Sequence, residues 1–231
     1  MTTRLELLPD VYLTAVQTSR FKTACFSLSF LRPLRQEEAG MNALLPSVLL
    51  RGSESAPSIR AIADRLDALC GASVGSLVRK KGEIQLTGLF ADGLEDRYAG
   101  EPVFSRLLEL TAELLLRPRT QGGVFVPQIV MQERQKLLDT IESTLDDKAE
   151  YCQTQLLRQM CRGEAYAVGR LGEAGPLAAV DEAALWAHYQ KVLASSRAEL
   201  FYLGSKPAQE VAALLRPLLK DLPRGSCVPV S

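Results

Sequence analysis

The sequence predicts an α+β domain in which helices pack on one face of an antiparallel sheet, and three observations predict it. Strand-like and helix-like segments come in runs rather than alternating singly. A pair of strand patterns closes on the tight turn Lys80-Lys81-Gly82. The longer segments carry apolar residues at helical spacing, as in Ile59, Ile62, Leu66 and Leu69. A chain of 231 residues with 47% hydrophobic residues is large enough to bury such a core.

Val11 to Val16 and Thr23 to Phe30 have strand patterns and are expected to pair as antiparallel neighbours. Glu37 to Leu50 is an apolar-rich helix closed by Gly52, with Pro46 as its discordant residue, because an interior proline removes a backbone bond and costs about 3 kcal/mol. Ser58 caps a second helix that ends at Gly71. Ser73 to Arg79 and Glu83 to Phe90 form the hairpin, and Ala91 to Gly100 is a polar connection. Val103 to Arg117 and Val126 to about Arg162 are helical, the second roughly 50 Å long if unbroken at about 1.5 Å per residue. A turn-rich segment with Gly163, Gly169, Gly172, Gly175 and Pro176 leads to a helix from Asp181 to Leu193, a strand from Ala198 to Leu203 and a last helix from Pro207 to about Lys220. Residues 1–222 are read as one domain and 223–231 as a loose tail.

Lys plus Arg and Asp plus Glu number 27 each, so no net field draws the chain to nucleic acid or to an anionic membrane, and neither is expected as a partner. The N-terminal residues lack the apolar core of a signal peptide and no segment approaches eighteen uncharged apolar residues, so a cytoplasmic location is expected. The five cysteines, Cys25, Cys70, Cys152, Cys161 and Cys227, are odd in number and have no C-x-x-C pair, which argues for reduced thiols, most of them small core residues.

Glu38-Ala39-Gly40 through Gly52, Ala56-Pro57-Ser58, Leu66-Asp67-Ala68-Leu69, Gly71-Ala72, Glu133-Arg134, Asp146-Asp147 and Gly163-Glu164-Ala165-Tyr166 together resemble the N-terminal domain of the insulinase (M16) family, which includes pitrilysin and the mitochondrial processing peptidase. The likeness spans nearly the whole chain. Active members carry His-x-x-Glu-His, in which two imidazoles bind zinc and the glutamate activates the metal-bound water. Anchoring the pattern on Arg51-Gly52 puts Ala43 at the first histidine, Pro46 at the glutamate, Ser47 at the second histidine and Thr140 at the third ligand, with Asp139 and Glu142 nearby. None of the four can do the job, and since His188 is the sole histidine, no register supplies an imidazole pair. No metal or other cofactor is expected. The Ala-Leu-Leu-Pro replacement, Gly71-Ala72-Ser73, Lys80-Lys81-Gly82-Glu83 and Asp146-Asp147-Lys148 further resemble a bacterial inactive subgroup associated by name with modification of elongation factor P.

The resemblance implies a catalytically inactive subunit that pairs with an active zinc-dependent member to form a chamber for peptide substrate. A stand-alone peptide-binding or scaffold module, and a hydrolase using Ser47 or a cysteine, stand as alternatives. Members of this kind carry two homologous halves and this chain has one, as expected of a fragment or a split gene. Other candidates have bland readings beside the sharp ones: His188 as structural or surface residue rather than general base, Arg79-Lys80-Lys81 as a solvated turn rather than a basic patch, Asp146-Asp147 with Glu150 as surface acids rather than a cation site. Gly163 to Gly175 lacks a nucleotide-loop motif. Cys152 and Cys161, nine apart, point in opposite directions on a straight helix and cannot share a metal there.

Overall fold

A computed structural model describes residues 1–144 and 146–229. Three strands come first, Thr2–Leu8 (β1), Val11–Gln17 (β2) and Thr23–Pro33 (β3), followed by helices Gln36–Leu49 (α1) and Ile59–Ala68 (α2). The hairpin Ser73–Lys81 (β4) and Ile84–Leu94 (β5) precedes a short helix Asp96–Ala99 (α3) and the helix Val103–Leu116 (α4). A small hairpin, Thr120–Gln121 (β6) and Val124–Phe125 (β7), leads into Pro127–Ser143 (α5) and Lys148–Met160 (α6). The chain finishes with Ala174–Ala178 (α7), Glu182–Ser195 (α8), Arg197–Gly204 (β8) and Ala208–Leu219 (α9).

Six strands form one sheet in the order β1-β2-β8-β3-β5-β4, antiparallel throughout except where β8 runs parallel to β2. The expected pairing of the strands at Val11 and Thr23 is therefore corrected: β8 lies between them. Alternation marks a strand but not its neighbour, and Ala198, Leu200 and Tyr202 give β8 the inward apolar row that fits this gap. Strand β1 escaped the sequence reading because it sits at the sheet edge, with Arg4 and Glu6 opposite Thr14 and Tyr12 on the outer face.

The sheet faces are unequal. Leu13, Phe26, Leu28, Phe30, Leu89, Leu200 and Tyr202 point inward and are buried beneath α1, α4, α8 and α9, each large side chain contributing about 2–3 kcal/mol on burial. The opposite face, with Cys25, Ser27, Leu77, Leu86, Phe90 and Phe201, lines an open depression. Ser58 caps α2 through a bond from the Ala61 N–H at 3.1 Å, as expected, and Ile62 and Leu69 are buried. Ile59 instead stands 51% exposed, because at the first position of the helix it clears the face that packs. The helix α1 closes at Leu49 rather than on Gly52, which follows three residues later.

The single helix expected from Val126 to Arg162 is two helices. The hydroxyls of Thr140, Ser143 and Thr144 turn back onto the carbonyls of Lys136, Thr140 and Ile141, and Asp147 starts the next helix by accepting from the N–H groups of Ala149 and Glu150. Short polar side chains that bond to local backbone compete with helix continuation. The polar connection expected after Phe90 is instead the end of β5, to Leu94, followed by α3. The stretch 223–229 has no regular element, yet Arg224 donates to the carbonyls of Pro9, Leu193, Ser196 and Asp10. The last two residues of the expected tail lie outside the described residues.

Candidate functional site

Helices α1 and α5 lie side by side and antiparallel. At one end Arg51 pairs with Glu133 at 3.0 Å and donates to Gln132 at 2.9 Å. At the other, Gly172 abuts Gly40 so closely that a Cβ on Gly172 would stand 2.4 Å from the Gly40 nitrogen, and Gly172 shares a cavity with Ile141 and Thr144 of α5. Ala43 lies eight residues back from Arg51 and Thr140 seven on from Glu133, which at about 1.5 Å per residue puts them level, roughly 11 Å from the ion pair. Ala43 and Pro46 are buried, Ser47 is half-buried, and Thr140 is exposed with its hydroxyl donated to the Lys136 carbonyl at 2.8 Å.

This set does not fit zinc. A methyl group and an alcohol replace the two imidazole ligands, a second alcohol the carboxylate ligand, and a pyrrolidine ring the carboxylate that activates the bound water. Of the nearby acids, Asp139 accepts from Gln135 and Glu142 is exposed. Among the described residues no group of three His, Cys, Asp or Glu side chains is placed to hold a metal ion.

Sequence reasoning missed what sits beside these positions. Pro46 has no N–H to give to the Asn42 carbonyl four residues earlier, and the Thr87 hydroxyl of β5 supplies the bond instead, at 2.5 Å. The Asn42 side chain is fully buried and donates to Gln85 Oε1 at 2.9 Å, while its Oδ1 accepts from His188 Nε2 at 2.7 Å. Gln85 Nε2 then donates to the carbonyls of Ala39 and Arg170. The donors run one way, from His188 through Asn42 and Gln85 to the backbone, which assigns the proton of the neutral imidazole to Nε2. His188 is thus a buried structural residue joining α8 to α1, and burial drives its pKa down to about 4, against the opposing pull of the Glu38 charge.

A second buried group adjoins it. The Arg32 guanidinium, 1% exposed, and Lys191 both donate to the Glu38 carboxylate at 2.6 Å. Burial works to raise the Glu38 pKa, but the hydrogen bonds from Lys191 and Arg32 outweigh it and hold the carboxyl below its ordinary value. Loss of one partner from such a set leaves an uncompensated buried charge, so the group fixes α1 against β3 and α8.

A cavity of about 300 Å³ opens next to Thr140, between α5, α6 and residues 166–172, lined by Ile141, Leu157 and Tyr166 with Glu150, Arg158 and Arg170. Lys80 of β4 reaches into it, 3.9 Å above the Tyr166 ring, and donates to the carbonyls of Tyr166 and Val168. The expectation of a solvated basic turn is corrected for Lys80, whose place in the pleat aims it at the helices; the turn itself is Gly82-Glu83. Asp147 acts as a helix cap, a signal readable in Asp147-Lys148-Ala149-Glu150. Cys25, Cys161 and Cys227 are half-buried, and Cys70 and Cys152 are exposed, against the expectation of core thiols.

The chain is 30% identical over 207 residues to the Bacillus subtilis protein named "Probable inactive metalloprotease YmfF", a match covering 89% of this chain and 49% of the relative. It superposes with a TM-score of 0.90 on a conserved protein from Enterococcus faecalis at 26% identity, covering 100% of this chain and 56% of that one. The peptidase M16 inactive domain from Pseudomonas fluorescens shares the fold at a TM-score of 0.79 and 16% identity, with 100% and 53% covered. The chain spans about half the length of these relatives. No family profile matches it.

Proposed function

Because this chain belongs to the M16-type peptidase family, as a half of the kind found in its inactive members, we propose that it is a non-catalytic subunit that pairs with an active, zinc-bearing M16 subunit and helps enclose a chamber for peptides. The observation that carries this reading is a peptide-sized opening kept beside a position that has no metal-binding chemistry. Strand β4 ends the sheet, pairing among the described residues with β5 alone, so its outer edge offers backbone donors and acceptors to an extended peptide. The cavity at Lys80 lies at the end of that edge and can take a side chain of such a peptide. With Ala43, Pro46, Ser47 and Thr140 at the positions that match the family's zinc site, hydrolysis falls to the partner and peptide binding is what this chain contributes.

Tagged protein, co-purified from a lysate of its source with the captured chains identified by mass spectrometry, should recover a protein bearing His-x-x-Glu-His. The complex should contain stoichiometric zinc and cleave peptides, and the isolated chain should do neither. Zinc-dependent turnover by the isolated chain would overturn the reading.

A further inference from the structure

The cavity at Lys80 carries an excess of positive charge. On one side α6 lends it Glu150, Thr154, Leu157 and Arg158, at the three- and four-residue spacing that puts side chains on a single helix face. Another wall is the segment 166–172, which α1, β4 and β5 hold in place. Lys80 donates to the carbonyls of Tyr166 and Val168, Gln85 donates to that of Arg170 at 2.8 Å, and Gly172 packs on Gly40 with no room for a Cβ. Pinned in this way, the segment sets the Arg170 guanidinium beside β4, 3.4 Å from the Val78 carbonyl. The lining therefore has three cations, Lys80, Arg158 and Arg170, against one carboxylate, the exposed Glu150.

Those cations lack counter-charge. Among the described residues Lys80 and Arg170 enter no ion pair, and Arg158 comes no nearer than 4.0 Å to its one carboxylate, that of Glu173, which also accepts from Gln36. The neighbours of the Lys80 ammonium are two carbonyl dipoles and the Tyr166 ring, all neutral. Desolvation there works against the charge and holds the Lys80 pKa below its ordinary value.

We propose that this cavity selects an acidic side chain, glutamate or aspartate, from a peptide lying along the edge of β4, a selectivity that rests on the peptide-binding reading. An entering carboxylate meets all three cations and forms charge-assisted bonds with donors that otherwise face neutral acceptors or water. Ile141, Leu157 and Leu171 line the same space and receive the methylene stem. A lysine or arginine side chain adds like charge beside three cations, with Glu150 alone in the lining to receive it. An apolar side chain fills the space and leaves the cations without a partner.

The test is direct binding of the isolated chain to three pools of peptides of equal length, acetylated and amidated so that no terminal charge competes, and tagged with a neutral fluorophore. The pools share randomised uncharged positions and differ only at the centre, which is glutamate, glutamine or lysine. Fluorescence anisotropy at low salt should show the glutamate pool binding about tenfold tighter than the glutamine pool, the lysine pool weakest, and the spread narrowing as salt rises. Arg158→Gln combined with Arg170→Gln should bring the glutamate pool to within about twofold of the glutamine pool. Glu150→Gln removes the opposing charge and should tighten the glutamate pool by about threefold, a gain that an unfolded variant would not give. Thermal melting of each variant checks its fold. Equal binding of the glutamate and glutamine pools, or a glutamate preference that survives both arginine substitutions, would overturn the acidic selectivity and leave the peptide-binding reading standing. Absence of binding by every pool would overturn both.

Discussion

Asn42 carries more of the local structure than any residue singled out from the sequence. Its carbonyl takes the Thr87 hydroxyl that Pro46 makes necessary, and its side chain links His188 to Gln85. Thr87→Val keeps the shape but leaves a buried carbonyl unpaired, so it should lower unfolding free energy by about 1–3 kcal/mol in urea titration, whereas Thr87→Ser should cost less. The imidazole gives a pH signature. The folded His188 pKa of about 4 lies below its ordinary 6.5, so the unfolded chain takes the proton first and stability falls as pH drops through that window. Between pH 6.5 and about pH 5 the loss should be about 1.5 kcal/mol, and His188→Gln should flatten it. Glu38, whose pKa is lowered, adds a further loss only at more acid pH, where its carboxylate protonates. Pro46 was legible as a discordance, and the missing imidazole pair was legible outright. What satisfies the discordance was not, because Thr87 and His188 come from distant parts of the chain.

Elements were legible where local chemistry governs them. The capping serine of α2, the hairpin of β4 and β5, and the helices α4, α8 and α9 follow from side chains within a few residues of each boundary. The α5–α6 break was not read because apolar spacing continues across it, although Asp147 announces it. Asp147→Ala should destabilise α6 by about 1 kcal/mol, seen as faster amide exchange in residues 148–151 with little change in α5. The cavity between these helices gives a functional test of the same region. Thr154→Trp, pointing bulk into the space beside Leu157 and Tyr166, should reduce binding of unstructured fluorescent peptides by about tenfold without lowering the melting temperature. The reverse experiment concerns α1: Ala43→His with Ser47→His should gain at most weak zinc binding and no peptidase turnover, because Pro46 offers no base and Thr140 no carboxylate.

At the scale of the molecule, the resemblance read from Gly40 to Gly52 and from Glu133-Arg134 leads to the same fold that the superpositions give. The α+β class and the one-sided packing of helices were legible in the order of segments. Strand order was not, since one strand from the far end of the chain closes the sheet. That insertion has a consequence for how the protein comes into being. Until residues 197–204 leave the ribosome, β1-β2 and β3-β5-β4 are two separate ribbons, each with an apolar edge awaiting the other. The nascent chain must hold the elements from β1 to α8 in waiting, and its slow step is the capture of a late strand between two early ones. A chain stalled before Arg197 should be protease-sensitive and should recruit chaperones, whereas one stalled some tens of residues after Gly204 should resist cleavage.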